Sequence, residues 1–274
     1  MADVLARLSW SARAYVVLAG AWIRVSMSYR TSFAIMTVAQ FVITALDFVA
    51  IVIMFANIDA LGGFSLAEVA FLYGGAGVCL GLADLLMGNI ERLGTRIRLG
   101  TFDAMMVRPV PLFAQACADE FALRRLGRIA QAAVVLGWSV VALDIDWSVT
   151  KVLVVGYLVV FGTGIFCAFF TLGAALQFFT TDAAEVANAF TYGGNTLAQY
   201  PLTIYPRELV KALTFLVPVG FVNWYPSLFV LGRPDPFGMP EAFQLASPVA
   251  AVVLGLLAAW AWRTGVRRYR STGS

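Results

Sequence analysis

Three stretches of this chain, residues 33–56, 66–89 and 152–179, stay apolar over more than twenty positions, and nothing else constrains the fold so strongly. A helix rises about 1.5 Å per residue, so roughly 20 apolar residues cross the hydrocarbon core of a bilayer. The runs are unbroken rather than alternating over about ten residues, which predicts helical spans and not barrel strands. Composition agrees. Of 274 residues, 61% are hydrophobic and 13% charged, whereas an ordinary soluble domain is about 25% charged. The mean hydropathy is +0.82. The expectation is an all-α integral membrane protein.

Shorter candidates complete the pattern. Residues 129–143 form a third span, closed by the turn Asp144-Ile145-Asp146-Trp147, and residues 248–262 form the last one. Residues 3–30 place Leu5, Leu8, Ala12, Tyr15, Val16, Ala19 and Ile23 on one side of a helix and arginines elsewhere. That spacing predicts an amphipathic helix lying in the interface, a segment 1–32 ahead of a membrane domain 33–274. Its arginines are spread through it, not clustered before an apolar core, so no cleavable signal peptide is expected.

Between residues 180 and 232 two segments compete for the fifth crossing. Residues 184–203 are only moderately apolar; residues 209–231 are more so but contain Pro218 and Pro226. If both crossed, the two basic termini would face opposite sides of the membrane. With six spans and a cytoplasmic N-terminus, the cytoplasmic segments hold four arginines at the N-terminus, seven in 91–128 and four at the C-terminus. Only Lys151, Arg207, Lys211 and Arg233 then lie outside, as positive residues prefer. Residues 184–203 are taken as the crossing, because Asn188, Thr191, Asn195 and Gln199 share one helical face. Residues 205–231 then form a proline-broken outer re-entrant hairpin, with Tyr200, Tyr205, Trp224 and Tyr225 suited to the outer interface.

The longest polar interruption is the elbow 91–111, with Arg92, Arg96, Arg98 and Arg108, ending in Pro109-Val110-Pro111. It reads either as a docking surface or as a basic loop that fixes topology. Two acids lie inside spans, Asp47 and Asp84, where an ionisable group is expensive and faces a cavity or a partner. Gln40, Thr44 and Asp47 share a face. Asp84, near the inner end of its span, is placed to snorkel or to pair with Arg92. Gly77 and Gly81 make a G-x-x-x-G pair that lets helices approach closely.

Several functions lose their reagents. Histidine is absent, so the commonest general base and metal ligand is missing, and no metal site is expected. Cys79, Cys117 and Cys167 have no metal-like spacing and read as small apolar fillers. The net charge of +3 is accounted for by membrane orientation and is no nucleic-acid signal. No G-x-x-x-x-G-K-[ST] loop is present, and no paired-carboxylate motif supports an enzyme acting on lipid. A transporter or channel driven by an ion gradient, with Asp47 and Asp84 as coupling acids, is the alternative to a permease.

The order of parts resembles the permease subunits of bacterial type-2 ATP-binding-cassette exporters, the subgroup with a separate ATPase. Two stretches carry most of the likeness. Gly100-Thr101-Phe102-Asp103 followed by Val107-Arg108-Pro109-Val110-Pro111 is similar to that subgroup's Gly-x-x-Asp…Arg-Pro elbow. Tyr200-Pro201-Leu202-Thr203-Ile204-Tyr205-Pro206 and 217–226 are similar to its outer hairpin. The resemblance implies that the elbow docks on a cytoplasmic ATPase, with Arg92, Arg96, Arg98, Asp103 and Arg108 as contacts to it or to lipid headgroups and Phe102 as an apolar anchor. It implies a translocation route lined by Gln40, Thr44, Asp47, Asp84, Asn188, Thr191, Asn195 and Gln199. It also implies ATP and magnesium in the partner rather than in this chain, a second permease chain, like or unlike, and residence in the bacterial cytoplasmic membrane with both termini inside.

Overall fold

The computed structural model describes residues 2–180 and 183–271, with side chains from residue 9 onward. Twelve α-helices follow one another, and the described residues contain no strand: α1 (Ala2–Ser28), α2 (Arg30–Phe55), α3 (Leu66–Met87), α4 (Leu93–Arg98), α5 (Thr101–Met106), α6 (Leu112–Ala118), α7 (Leu126–Ala142), α8 (Val149–Leu176), α9 (Ala184–Ala198), α10 (Arg207–Lys211), α11 (Trp224–Leu231) and α12 (Ser247–Arg268). Short 3-10 turns lead from α3 into α4 and from α6 into α7.

Among the described residues, four helical stretches are long and apolar enough to cross a membrane: α2, the stretch Leu66–Arg98 that begins with α3, α8 and α12. A fifth is the pair Arg207–Leu216 and Val219–Leu231, bent by 75° at Pro218, if it counts as one span. α7 and α9 have 17 and 15 residues, so each alone rises less than the roughly 30 Å hydrocarbon core.

Glycines set how the helices pack. A Cβ at Gly74 would strike the backbone of Leu136, one at Gly77 would meet Ala132 and one at Gly81 would meet Ile129. Rising positions on α3 meet falling positions on α7, so the two are antiparallel and in close contact. Carried to its end, this register brings Ala142 level with the first turn of α3. The G-x-x-x-G pair is thus a packing device, as the sequence predicts. α8 runs parallel to α3: Thr163 donates to the Cys79 carbonyl at 3.3 Å, and one length further on Thr171 reaches the Met87 sulfur. α12 runs parallel to α8, with Ala251 beside Gly164 and Phe178 beside Gly265.

The local reasons for the helix ends are visible. Ser65 caps α3 through a reciprocal capping box with Glu68, which satisfies two otherwise orphaned N–H groups. Ser148 accepts from the Lys151 N–H and starts α8. Gly100, at φ +68°, turns the chain between α4 and α5, a conformation open to glycine at little cost.

One end of the bundle gathers the loop before α3, residues 199–246 and the start of α12. Asn223 donates to the carbonyls of Leu72 and Ala198 at 2.7 and 3.0 Å. Arg233 pairs with Glu68 at 2.6 Å and lies over the Phe64 ring. Trp224 and Tyr225 are fully buried here. This corrects the expectation that they sit at the membrane interface: the folded hairpin turns them into its own core.

The entry helix α1 also differs in detail from its predicted apolar face. Ala14 and Ala19 are buried, whereas Ala12 and Val16 are exposed. Tyr15 fixes the rotation by donating to the Leu86 carbonyl at 2.7 Å, and α1 packs on α6. The side chains of Leu5 and Leu8 lie outside the described residues. α2 is largely uncovered; only Thr44 and Ile51 are buried on it.

Candidate functional site

The elbow is a compact unit of α4, α5 and α6, and its charges are mostly spent within the chain. Arg92 pairs with Glu120 at 2.6 Å. Arg96 pairs with Asp119 and, at 3.5 Å, with Glu120. Asn89 donates to the carbonyls of Asp119 and Glu120, and the Gly94 N–H donates to the Gln177 side chain at the end of α8. Surface ion pairs of this kind are worth little singly, about 0–1 kcal/mol, but here they close one loop against another.

Phe102 faces inward. It is fully buried, with ring centroids 5.4 Å from Phe178 and 4.9 Å from Tyr269. Phe178 also packs on Trp262, and Trp262 on Phe113. Beside this cluster the Asp103 carboxylate accepts hydroxyl hydrogens from Tyr269 at 2.8 Å and Ser271 at 2.6 Å. Burial first, then the bond to Asp103 and its charge, push the Tyr269 phenol up to about 12, so it remains a protonated donor. Phe102 is therefore not presented to a partner; it anchors the elbow to the ends of α8 and α12. The most exposed apolar side chains of the elbow are Leu99, Met106 and Val107, flanked by the exposed Arg98 and Arg108. The sequence held a signal for this: Phe102 and Met105, three apart on α5, are the buried pair.

A polar cavity of about 170 Å³ lies between α2, α3, α7 and α9. Of the predicted route residues, Thr44, Asp47, Asn195 and Gln199 line it. Thr191 is buried, but its hydroxyl bonds back to the Ala187 carbonyl at 3.2 Å. Gln40 and Asn188 are half-buried and do not line the cavity. Tyr73, Arg128, Gln131 and Tyr192 line it without having been expected there. Arg128 and Gln131 stand three apart on α7 and so share a helical face, which could have been read from the sequence.

Asp84 lies below this cavity and does not line it. Arg125 approaches its carboxylate at 3.1 Å and Arg128 at 3.6 Å, and the Tyr192 hydroxyl donates to it at 3.3 Å. The expected pairing with Arg92 is thus incorrect. The start of α7 folds back over the end of α3 and brings Arg125 and Arg128 onto the acid, while Arg92, the last residue of the 3-10 turn, reaches Glu120. Arg125 also donates to the Asp84 carbonyl and to the Asn89 side chain. Elbow and cavity are therefore joined by one polar chain, from Glu120 through Asn89, Arg125 and Asp84 to Arg128 and Tyr192.

All-helical architecture and several spans leave many transporter families open. The sequence model described as ABC-2 family transporter protein matches residues 41–273. No curated protein and no solved structure matches. The match takes in the elbow, the cavity and all four long apolar stretches but for the first turns of α2, and with them the chain belongs to the ABC-2 family of transporter proteins, as a multi-pass membrane permease of the ATP-binding-cassette class.

Proposed function

We propose that this permease is an exporter subunit that takes its energy from a separate cytoplasmic ATPase through the elbow. The observation that carries the reading is the clamp of Phe102 and Asp103 on Phe178 and Tyr269. A force applied to α5 reaches the ends of α8 and α12 directly. ATP and magnesium belong to the partner, because the chain has no phosphate-binding loop. The ATPase can shift the permease only through contacts that differ between its nucleotide states. Leu99, Met106 and Val107 with Arg98 and Arg108 form the surface for those contacts; Arg92, Arg96 and Asp103 hold the elbow in shape.

Six crossings fit this role. α7 runs the length of α3 in antiparallel register, so it crosses the depth that α3 crosses. α9, prolonged by its following turn, is the fifth, and the bent pair is the outer re-entrant hairpin. N- and C-termini then share the cytoplasmic side with the elbow, in the bacterial inner membrane. The uncovered face of α2 is the seat for a second permease chain or for lipid. The route includes the polar cavity, with Asp84, Arg125 and Arg128 closing its inner end.

The test is co-purification of the partner ATPase with the Val107→Asp, Arg108→Glu double variant. A loss of bound ATPase by tenfold or more is expected, with the permease still in the membrane. Undiminished binding would move the docking surface elsewhere. ATP-independent transport by the purified chain would overturn the energy source as well.

A further inference from the structure

The polar cavity holds more unmet bonding capacity than a packed helix seam would. Gln131 and Asn195 are 3% and 9% exposed, yet the Gln131 Nε2 and the Asn195 Oδ1 have no hydrogen-bond partner. The Arg128 Nη1 is likewise buried without a hydrogen bond, its nearest carboxylate oxygen being 3.6 Å away on Asp84. Asp47 of α2 lines the same cavity; it is exposed and makes no ion pair among the described residues. The buried groups on α7 and α9 are costly to leave unpaired, and an acid within a membrane span faces a charge or a polar path.

One cavity thus presents a carboxylate, a guanidinium, an amide donor and an amide acceptor. A simple cation would meet Asp47 but would be repelled by Arg128. A simple anion would meet Arg128 and Gln131 but be repelled by Asp47. A molecule with both charges satisfies both groups and can also bond to the two amides. The volume of about 170 Å³ corresponds to about five or six waters at roughly 30 Å³ each, enough for a small headgroup and not for a large drug.

We infer that the cavity binds a small zwitterion that carries an ammonium group toward Asp47 and a phosphate or carboxylate group toward Arg128. The inference rests on reading the cavity as part of the route and names the polar chemistry that the route accepts. That chemistry belongs equally to a free solute and to the headgroup of an aminophospholipid.

Binding of radiolabelled phosphoethanolamine to the full chain in phosphatidylglycerol nanodiscs, without nucleotide or partner, tests it. Saturable binding is expected. Ethanolamine alone and inorganic phosphate alone should bind at least tenfold more weakly, and Asp47→Asn should weaken phosphoethanolamine at least tenfold. Asp47 is exposed and makes no ion pair among the described residues, so this variant removes a charge with little loss of packing; both it and Arg128→Gln, the second variant, are checked for folding by their unfolding temperatures. No saturable binding by the unaltered chain, equal binding of either fragment, or an Asp47→Asn variant that binds like the unaltered chain would each overturn the assignment. Repeating the assay in nanodiscs with phosphatidylethanolamine distinguishes the two sources: competition identifies the lipid headgroup as the occupant, and undiminished binding identifies the free solute. ATP-driven accessibility of a cysteine at Gln199, measured with the partner ATPase, tests the route separately. Failed zwitterion binding with that opening intact overturns the ligand and not the route.

Discussion

Asp84 is 4% exposed and is matched by two arginines from the start of α7. A buried pair of this sort adds little net stability over an apolar replacement, but removing one partner strands a charge, at a cost of about 3–5 kcal/mol. Arg125 makes the closer approach and also holds Asn89. Arg125→Ala should therefore lower the midpoint of denaturant unfolding in detergent by an amount on that scale, and by clearly more than Arg92→Ala, whose pair with Glu120 is exposed. Equal effects of the two variants would deny Asp84 its structural role. Tyr269→Phe keeps the ring against Phe102 and Phe178 and removes only the bond to Asp103, at a cost of about 1 kcal/mol. Phe102→Ala opens the cluster itself and should cost about 3–5 kcal/mol; unfolding curves of the two variants, side by side, separate packing from hydrogen bonding.

Among the elements, the tightest seam is that of α3 with α7. At Gly74 any side chain meets the Leu136 backbone, which cannot swing aside as a flexible side chain would. Gly74→Val should destabilise by about 1–3 kcal/mol through overpacking, whereas Gly137→Val, where a Cβ meets open space, should leave the unfolding midpoint nearly unchanged. The long spans were legible in the sequence because burial in lipid needs only apolar length: α2, α3, α8 and α12 start within three residues of the runs that predict them. The short helices α7 and α9 also start within three residues of their predicted runs, and only α9 ends early, at Ala198, where Pro201 stops it. Direction of burial was hidden, since loops folding back on neighbours set it. Trp224 and Phe102 look like surface aromatics in a polar or proline-broken context, and only Asn223 bridging α3 and α9, or Tyr269 arriving from the far end of the chain, turns them inward. Within the cavity, the acid of α2 and the amides of α9 could be read from helical spacing, but their juxtaposition with Arg128 depends on the register of α7.

At the scale of the whole molecule, the elbow and the C-terminal ends of α8 and α12 form one body through Phe102, Asp103, Phe178, Trp262 and Tyr269. α2 stands apart on the outside, with little of its surface covered. A partner that moves the elbow would then carry α8 and α12 with it and, through the packing of α8 on α3 and α9, act on two walls of the polar cavity. The most direct test places spin labels at the exposed Val107 and Trp260 of one chain, and at Val107 paired with the elbow of the proposed second permease chain, in the assembled transporter. Pulsed electron resonance should show the distance within the chain unchanged between nucleotide-free and ATP-bound states, while the distance between the two elbows shortens. A change in the Val107–Trp260 distance on ATP binding, with the elbows fixed, would contradict the elbow as the rigid point of entry for the energy of ATP.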